Sequence, residues 1–552
     1  MSENSSSMSS FAQTICQQKY SHDLKDGSKE TWENIANRVT RVVLKSVNAP
    51  KSLVEQTLEY IKERKFIPGG RYLYSAGRPY HQVNNCLMCR AEDSREGWAQ
   101  HMQNHAMGLM TGAGIGTNYS SVRPEGKLIR KTGGLSTGPI GLMKATNELG
   151  REIMQGGSRR SALWAGLIWN HADIMKFITA KNWIKEVRDL KAQDFNFPAT
   201  LDMTNISVCL DDAFFSAYND EKNPKNSLAQ MVYWAVVERM LKTGEPGFSI
   251  DLGKSTKENL RNACTELVSE DDSDVCNLGS VNLARISSLE EMKSVVECAT
   301  AFLLAGTVYS DVPYAKVDMV RTKNRRLGLG LMGIHEWLLL NGKKYGPDSD
   351  LDKYLDVYKE STGFAHTYAE KWDLSTPVKT RAIAPTGTIG ILGETTTGIE
   401  CIFCVAYKRR YLKGNTWNYQ YVLDPTAKRL IEQYGVNPDS IEDAYTLAEE
   451  VERRLEFQAH VQKYVDHGIS STINLPMWGT EFNNSDTIQK FGKAFMKYLP
   501  QLRGLTTYPD GSRSGQPLSA VNYKTASKHV GEVLIEAADI CAISGKGGSC
   551  GS

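Results

Sequence analysis

The strongest constraint on the fold is an alternation of short apolar runs, glycine-rich turns and helical stretches that extends from residue 112 to about residue 515. Residues 327–331 and 405–412 are two of the apolar runs. Short apolar runs favour buried strands, and the helical patterns between them favour helices packed around a sheet. The 552 residues are enough for a large core, so we predict an α/β fold.

The two ends of the chain depart from this alternation. Residues 31–65 carry apolar side chains at helical spacing, for example Ile35, Val39 and Val43, and are predicted to be helical. A second helix is predicted over residues 98–110. The Ser-rich residues 1–10 are predicted to be disordered, and the Gly/Ser/Cys-rich residues 544–552 are predicted to form a flexible tail.

Composition narrows the class of protein. A formal net charge of +2 and a pI of about 7.9 give no indication of nucleic-acid binding. No apolar run is long enough to span a bilayer, and the N-terminus lacks a secretory signal, so we expect a cytoplasmic protein without a membrane partner. In that compartment the eleven cysteines should be mostly free thiols.

Two glycine-containing segments could bind a nucleotide. Gly112-Ala113-Gly114-Ile115-Gly116 resembles part of a dinucleotide fingerprint, but it follows a predicted helix, which favours a tight turn. Ala384-Pro385-Thr386-Gly387-Thr388-Ile389-Gly390 is predicted to open a helix. Free N–H groups at such a helix start bind phosphate well, although a plain capped helix start also fits.

The cysteines allow several kinds of site. Cys86 and Cys89 form one CxxC pair, and Cys401 and Cys404 form another. Zinc binding and thioredoxin-type redox chemistry are both possible for such pairs, but the inner residues are apolar and no metal site is expected. Buried inert thiols are the default for five cysteines, namely Cys16, Cys209, Cys298, Cys401 and Cys404.

Asn262, Cys264 and Glu266 form a compact polar triplet. In an extended loop, side chains at alternate positions point the same way, so these three could enter one site. They would place a reactive sulfur, a hydrogen-bonding amide and a general acid or base together. A surface loop would give the same sequence pattern.

Nine segments together resemble, in order, motifs of the ribonucleotide reductase family, and they cover roughly residues 66–518. The segments are Pro68-Gly69-Gly70-Arg71, Asn85-Cys86, Gly156-Gly157-Ser158-Arg159-Arg160, Asn262-Ala263-Cys264-Thr265-Glu266, Cys276-Asn277-Leu278-Gly279-Ser280-Val281-Asn282-Leu283, Ala384 to Ile389, Gly398-Ile399-Glu400, Asn474-Leu475-Pro476 and Tyr508-Pro509-Asp510-Gly511-Ser512-Arg513. Cys401 departs from the pattern, because the family usually has proline after Gly-Ile-Glu.

The resemblance implies a ten-stranded α/β barrel, built from two antiparallel five-stranded halves, with a central finger loop that carries Cys264. We expect this catalytic barrel over residues 66–525, with specificity-site helices near residues 93–111. Residues 1–65 would be a short helical N-terminal region without a full ATP cone. Residues 526–552 would form a C-terminal helix and a redox tail.

The resemblance also implies roles for individual residues. Cys264 would become a thiyl radical, Glu266 would exchange the 3′-OH proton, Asn262 would hold the substrate, and Cys86 and Cys276 would end as a disulfide. The expected substrate-binding residues are Pro68, Arg71, Asn85, Pro385, Thr386, Gly387, Thr388 and Ile389.

Allosteric and redox partners follow from the same resemblance. A deoxynucleotide effector (dNTP or ATP, with Mg²⁺) would bind at Asp93, Arg123 and Lys181, with a mobile loop over residues 181–194. For Asp93, the plainer interpretation is a helix N-cap, which is compatible with effector binding. A homodimer is expected. Cys541 and Cys550 would pass electrons from a thioredoxin- or glutaredoxin-like reductant.

The radical source stays open between two possibilities. The sequence around Thr507-Tyr508 resembles adenosylcobalamin-dependent enzymes, since class I subunits usually have two adjacent tyrosines there. The compact length resembles small phage-encoded subunits, in which a ferritin-like β subunit with a dimetal centre could deliver the radical through Tyr508.

Two other functions share the expected fold. A glycyl-radical enzyme would need an arginine-flanked glycine near the C-terminus, and residues 545–551 contain no arginine. A non-catalytic nucleotide-binding protein would tolerate loss of Cys264 or Glu266, and both are present.

Overall fold

The computed structural model describes residues 8–130, 133–156, 160–194, 196–413, 416–512 and 518–535. Twenty α-helices lie within these ranges. They are α1 Ser10–Lys19, α2 Trp32–Lys45, α3 Lys51–Lys62, α4 Gly70–Ser75, α5 Arg95–Thr111, α6 Gly138–Glu152, α7 Ile174–Ile178, α8 Lys185–Gln193, α9 Asp212–Asn219, α10 Asn226–Thr243, α11 Leu289–Tyr309, α12 Ala315–Asn324, α13 Ile334–Leu340, α14 Ser349–Lys359, α15 Ser361–Lys371, α16 Gly387–Gly393, α17 Pro425–Tyr434, α18 Val451–Gln462, α19 Ile488–Tyr498 and α20 Tyr523–Lys528.

Sixteen strands alternate with these helices in the same ranges, as the apolar pattern predicts. They are β1 Phe66–Pro68, β2 Cys86–Arg90, β3 Gly114–Asn118, β4 Leu163–Ile168, β5 Thr204–Asp211, β6 Gly247–Asp251, β7 Leu260–Arg261, β8 Val268–Ser269, β9 Asp274–Asn282, β10 Leu327–Met332, β11 Ala406–Lys413, β12 Thr416–Leu423, β13 Thr472–Leu475, β14 Gly504–Pro509, β15 Leu518–Ala520 and β16 Val533–Ile535.

The N-terminal region is more ordered than the sequence suggests. Residues 8–10 are described, and α1 starts at Ser10, so the prediction of disorder to residue 10 is wrong at its last three positions. Residues 31–65 form two helices, because Pro50 starts α3 after a break at residues 46–50. Apolar side chains from α1–α3 and from α11 belong to one hydrophobic cluster, so this region shares the core of the main body.

A mixed ten-stranded sheet forms the centre of the molecule. Strands β2 to β6 are parallel to one another in chain order. On one side β14 pairs antiparallel with β6, and on the other β9 pairs antiparallel with β2. Parallel strands need crossover connections, and helices such as α5, α6 and α10 supply them here.

Among the described residues, the two ends of this sheet meet only through isolated bridges. The strand order runs from β1 and β9 to β13, and β10 pairs in parallel with β9. Leu329 on β10 bridges Arg381, and Ile383 bridges Ile469, three residues before β13. The hydrogen-bonded ladder itself does not close within the described residues, so the predicted closed barrel of two antiparallel halves stays a prediction.

Two smaller sheets complete the fold. β7 and β8 form a hairpin between β6 and β9. The apolar run at residues 405–412 forms β11 of a separate four-stranded sheet, in the order β15-β11-β12-β16. The predicted boundary at residue 525, between the barrel and the C-terminal region, falls inside helix α20. This sheet contains strands from both sides of that boundary. Among the described helices, none combines the length and apolarity needed to cross a membrane.

Candidate active site

The tip of the β7–β8 hairpin carries the predicted triplet. Residues 262–267 connect the two strands, and Thr265 has a left-handed backbone with φ 67°. The expectation of an extended loop is therefore wrong, because a tight turn separates Cys264 from Glu266. The turn still points Asn262, Cys264 and Glu266 into one cavity.

The base of the hairpin is fixed by a buried ion pair. Arg261 Nη2 lies 2.5 Å from Asp251 Oδ1 on β6, and both side chains are almost fully buried. Arg503 Nη2 contacts the same oxygen at 3.3 Å. On the other side, a Cβ placed on Gly116 would lie 2.0 Å from the Arg261 carbonyl oxygen. Glycine at this position lets β3 pass directly against the hairpin.

This contact accounts for Gly116, the last glycine of the cluster at residues 112–116. Gly112 ends α5 with a left-handed φ of 104°, and β3 then begins at Gly114. The motif thus leads from a helix into a strand, which is the reverse of the order in a dinucleotide fingerprint. The interpretation of this segment as a dinucleotide-binding fingerprint is therefore wrong. The alternative interpretation, a tight turn, is correct only at Gly112.

Two cysteines face each other across neighbouring strands. Cys86 on β2 is the register partner of Cys276 on β9 in an antiparallel pair. Directly opposed residues point to the same side of a sheet, with Cα atoms about 4.5–5.5 Å apart. That separation lies within the range a disulfide can span, so the two thiols could be oxidised without a large backbone movement.

The hairpin tip contacts this cysteine pair. Asn262 Nδ2 donates a hydrogen bond to Cys86 Sγ at 3.0 Å, and Asn262 Oδ1 accepts one from the Leu267 backbone N–H at 3.0 Å. Burial raises the pKa of the Cys86 thiol, and the nearby groups of Glu266, Cys264 and Cys276 raise it further. Burial likewise raises the pKa of the Cys276 thiol well above its usual value. Both thiols therefore carry their protons at neutral pH.

Cys264 differs from the other described cysteines because its side chain is exposed, whereas theirs are buried. The surrounding protein raises the pKa of the Cys264 thiol, and the Glu266 charge adds to this effect. The sulfur is therefore a neutral thiol that remains accessible at the wall of the cavity. This arrangement suits hydrogen-atom chemistry better than nucleophilic attack, which needs a thiolate.

Glu266 is the carboxyl group of the site. It is 1% exposed, and its Oε2 has no hydrogen-bond partner among the described residues. Burial raises the pKa of Glu266 to about 7, with a smaller opposing effect from Asn262. A carboxyl group with this pKa can both accept and return a proton near neutral pH.

One cavity of about 250 Å³ joins Cys86 and Cys264 to the predicted phosphate loop, and Cys276 is not part of its lining. The cavity brings together most of the residues predicted from the sequence. Its lining includes Asn85, Cys86, Asn262, Cys264, Glu266, Pro385, Thr386, Gly387, Thr388 and Ile389, together with Gly69, Gly70, Gln155, Ser280 and Tyr20.

The phosphate loop opens helix α16. Thr386 precedes the helix with a left-handed backbone, φ 50° and ψ 19°, and its Oγ1 accepts a hydrogen bond from the Gly398 N–H at 2.9 Å. The first N–H groups of a helix have no acceptor within the helix. A Cβ on Gly387 would meet no atom within 4 Å, so open space lies beside these donors. An anionic group fits there.

Two predicted substrate residues are absent from the cavity lining. Pro68 ends strand β1, and its neighbours Gly69 and Gly70 line the cavity instead. Arg71 is buried, and its Nη2 donates hydrogen bonds to Ser75 Oγ and to the Thr111 carbonyl at the end of α5. The guanidinium thus caps a helix rather than facing the substrate cavity.

The predicted effector residues divide into two places. Asp93 and Arg123 form an ion pair at 2.9 Å, and both side chains are about one-third exposed. The cap of α5 is Ser94 rather than Asp93, so the N-cap interpretation of Asp93 is wrong. Lys181 instead pairs with Glu245 at 2.5 Å. Helix α8 occupies most of the segment predicted as a mobile loop.

The remaining sequence predictions have mixed outcomes. Cys16, Cys209, Cys298, Cys401 and Cys404 are buried and free, as expected. The described residues contain no cluster of three or more His, Cys, Asp or Glu side chains that could hold a metal ion. Tyr508 lies on β14, four residues before Ser512, the last residue of the described range 416–512. Cys541 and Cys550 lie outside the described residues.

Tyr20 is a cavity residue that the sequence analysis missed. It follows α1 and is 1% exposed. Ala12, Cys16 and Tyr20 recur every four residues and are all buried, which is the helical pattern that could have identified this segment.

Comparison with known proteins agrees with this geometry. The family model described as "Ribonucleotide reductase, barrel domain" matches residues 84–233, 229–359 and 378–507. A vitamin B12-dependent ribonucleoside-diphosphate reductase of Thermoplasma acidophilum is 26% identical over 86% of this chain and 67% of the relative. One from Mycobacterium tuberculosis is 25% identical over 93% and 81%.

A viral relative and a solved structure extend the comparison. A putative adenosylcobalamin-dependent ribonucleoside-triphosphate reductase of Mycobacterium phage D29 is 24% identical over 83% of this chain and 87% of its own. The class Id ribonucleotide reductase alpha subunit of Actinobacillus ureae superposes with a TM-score of 0.71 at 16% identity, over 91% and 97% of the two chains, and shows the fold. The family model matches more than half of the residues of this chain, so the chain belongs to the ribonucleotide reductase family.

Proposed function

We propose that this chain is a ribonucleotide reductase catalytic subunit, which reduces ribonucleoside di- or triphosphates to 2′-deoxyribonucleotides with a thiyl radical on Cys264. One observation carries the proposal. A single cavity joins an exposed cysteine, a buried carboxyl group and Cys86, one member of a cross-strand cysteine pair, to a helix start that fits phosphate.

The first half of the reaction uses Cys264 and Glu266. The thiyl sulfur takes the hydrogen atom from C3′ of the ribose, a reversible step because the S–H and C–H bonds are similar in strength. Glu266 accepts the 3′-OH proton, and its pKa of about 7 suits that role. The 2′-hydroxyl takes a proton from the cysteine pair and leaves as water.

The second half uses Cys86 and Cys276. Together the two thiols supply two electrons and two protons and end as a disulfide. Their register pairing supports this step. One proton has left in the water, and the other goes with one electron to C2′. The second electron reduces the 3′-ketone as Glu266 returns its proton to the 3′-oxygen. Cys264 then returns its hydrogen atom to C3′ and is again a radical. A thioredoxin- or glutaredoxin-like reductant restores the thiols, with Cys541 and Cys550 as the proposed relay.

For the radical source we propose adenosylcobalamin, whose cobalt–carbon bond supplies a radical when it breaks. The exposed side chain of Cys264 fits this group, because a radical generated outside the protein core must be able to reach the sulfur. The names of the two B12-dependent relatives and of the phage relative support the same choice. A dimetal partner subunit, acting through Tyr508, is the alternative outcome of the test.

The proposal also includes a closed barrel, an effector site and a homodimer. The strand directions and the bridges at Arg381 and Ile383 support a closed barrel of two antiparallel halves. An effector dNTP or ATP, with Mg²⁺, would bind near the Asp93–Arg123 ion pair at the start of α5. Met107 and Met110 on α5 are exposed, which supports a homodimer through this helix.

The test is deoxynucleotide formation by the purified full chain. The assay contains ribonucleoside di- or triphosphates, effectors and a dithiol, with and without adenosylcobalamin. Turnover that needs the cobalamin is the expected result. Turnover only after addition of a metal-loaded partner subunit would replace the cofactor but keep the reaction. Folded, effector-binding protein that never forms deoxynucleotide under either condition would contradict the proposed function.

A further inference from the structure

Tyr20 reaches the substrate cavity from outside the part of the chain that the family model matches. That match begins at residue 84, whereas Tyr20 directly follows helix α1. Tyr20 is 1% exposed and forms part of the wall of the 250 Å³ cavity, together with Gly69, Gly70 and the phosphate loop. We call residues 9–20 the N-terminal strap.

One end of the strap is attached to the phosphate-loop helix. The Ser9 backbone N–H donates to Glu394 Oε1 at 2.9 Å, and Glu394 directly follows α16. Arg64 holds the other carboxylate oxygen of Glu394 at 2.6 Å. Ala12 and Cys16 are buried on the inner face of α1. The strap therefore lies along α16 by specific contacts.

The other end of the strap is attached through Arg38 to α4, whose first residue lines the same cavity. Arg38 donates hydrogen bonds to the carbonyl oxygens of Tyr20 at 3.4 Å and Leu73 at 3.1 Å. An ion pair with Glu30 at 2.7 Å, in which both side chains are mostly buried, fixes the guanidinium. Because α4 begins at Gly70, which lines the cavity, Arg38 sets the position of Tyr20 relative to the cavity wall.

We propose that the N-terminal strap closes the phosphate end of the substrate cavity and that Tyr20 is its substrate-positioning residue. The inference rests on the proposed function, because it takes the ligand to be a ribonucleotide. The Tyr20 ring is a wall that limits where the phosphates lie. Loss of the ring leaves the thiols and Glu266 in place but lets the substrate shift at its anionic end.

The test compares Tyr20→Ala, Tyr20→Leu and Tyr20→Phe with a matched control on the same helix. Phe11→Ala is that control, since Phe11 is 46% exposed on α1 and is absent from the cavity lining. We expect Tyr20→Ala to raise KM about tenfold with kcat within about threefold, the pattern of lost substrate binding. Tyr20→Leu should show a smaller rise in KM. Tyr20→Phe and Phe11→Ala should match the unmodified chain.

Binding measurements separate this proposal from the proposed function. Calorimetry with a ribonucleoside diphosphate is done on the Cys264→Ala chain, with and without Tyr20→Leu, after thermal melts show both to be folded. Weaker binding in the double variant supports the strap proposal. Equal binding by both, or a KM for Tyr20→Ala within twofold of the unmodified chain, overturns it alone. No ribonucleotide binding by either variant overturns the proposed function as well.

Discussion

The two CxxC pairs have the same spacing but very different surroundings. Cys86 lies opposite Cys276, accepts a hydrogen bond from Asn262 and lines the cavity. Cys401 instead accepts a hydrogen bond from Arg454 Nη1 at 2.9 Å, and Cys404 donates one to the Ala406 carbonyl at 3.1 Å. All four side chains are buried.

The comparison teaches that strand register determines which groups a cysteine contacts here, and that spacing along the chain does not. Cys86 and Cys89 lie three residues apart on β2, so they point to opposite faces. The partner of Cys86 lies on β9, far along the chain. Cys401 has Arg454 as its polar partner, and that contact serves the packing of α18.

The largest expected effect on deoxynucleotide formation comes from replacing Cys264, in comparison with replacing a buried cysteine. Cys264→Ala should abolish deoxynucleotide formation, because no other group at the hairpin tip can take a hydrogen atom from the ribose. Effector binding should be unchanged. Cys404→Ala is the matched control and should retain turnover. The measurement is product formation by chromatography, and product above background from Cys264→Ala would disprove the thiyl assignment.

The next effect tests the cross-strand pair directly. Cys86→Ser and Cys276→Ser should each lose sustained turnover with dithiol, since neither can form the disulfide. Cys401→Ser should keep turnover and lose at most about 2 kcal/mol of stability, because a serine hydroxyl still accepts from Arg454. After turnover without reductant, peptide mass spectrometry should find Cys86 joined to Cys276. A Cys86–Cys89 disulfide would contradict the register argument.

The sequence predicts the strands and helices of the fold better than their arrangement. Apolar runs such as residues 327–331 indicate β10 correctly, because burial on both faces of a strand leaves a local signal. The run at residues 405–412 gives the same signal, yet β11 lies in a separate sheet. Sheet membership depends on contacts between distant residues, which no local pattern contains.

The sequence likewise predicts some residues of the site and misses the position of others. The triplet of Asn262, Cys264 and Glu266 is visible because its members are close in sequence, and the family resemblance supplies their roles. The placement of Arg71 against the end of α5 and of Tyr20 in the cavity wall depends on tertiary packing. A resemblance in sequence could not predict either contact.

Glu266→Gln should have a smaller but still large effect on the rate. Loss of acid–base assistance is typically worth ~10²–10⁴ in rate. In the unmodified chain kcat/KM should rise with pH through about 7, as Glu266 becomes the ionised base. The variant should lack that rise. Glu270→Gln, four residues along and exposed, is the matched control, and a pH profile shared by all three chains would exclude Glu266 as the base.

The same carboxyl group should affect stability with a defined sign. Its pKa is about 7 in the folded chain and 4.5 for a glutamate exposed to water, as in the unfolded chain, so the folded chain holds an extra proton between these values. The free energy of unfolding should therefore fall by roughly 3 kcal/mol as the pH rises from below 4.5 to above 7. Glu266→Gln should lack this contribution in denaturant titrations, and Glu270→Gln should retain it.

The smallest expected effect on the rate concerns Gly116, which contacts the hairpin but no reacting group. Alanine there would place a Cβ 2.0 Å from the Arg261 carbonyl oxygen, so one of the two backbones must move. A displacement of about 1 Å at a catalytic group can cost on the order of 10²-fold in rate. Gly116→Ala should therefore lower kcat by about that factor, although every thiol and Glu266 remain present.

A second glycine provides the control for Gly116. Gly363 lies in α15, where an added Cβ would meet nothing within 4 Å, so Gly363→Ala should leave kcat unchanged and stabilise the chain slightly. Turnover by Gly116→Ala equal to that of Gly363→Ala would mean that the hairpin position is not set by its contact with β3. A lower rate for Gly116→Ala alone would show that cysteine chemistry here depends on backbone placement as well as on strand register.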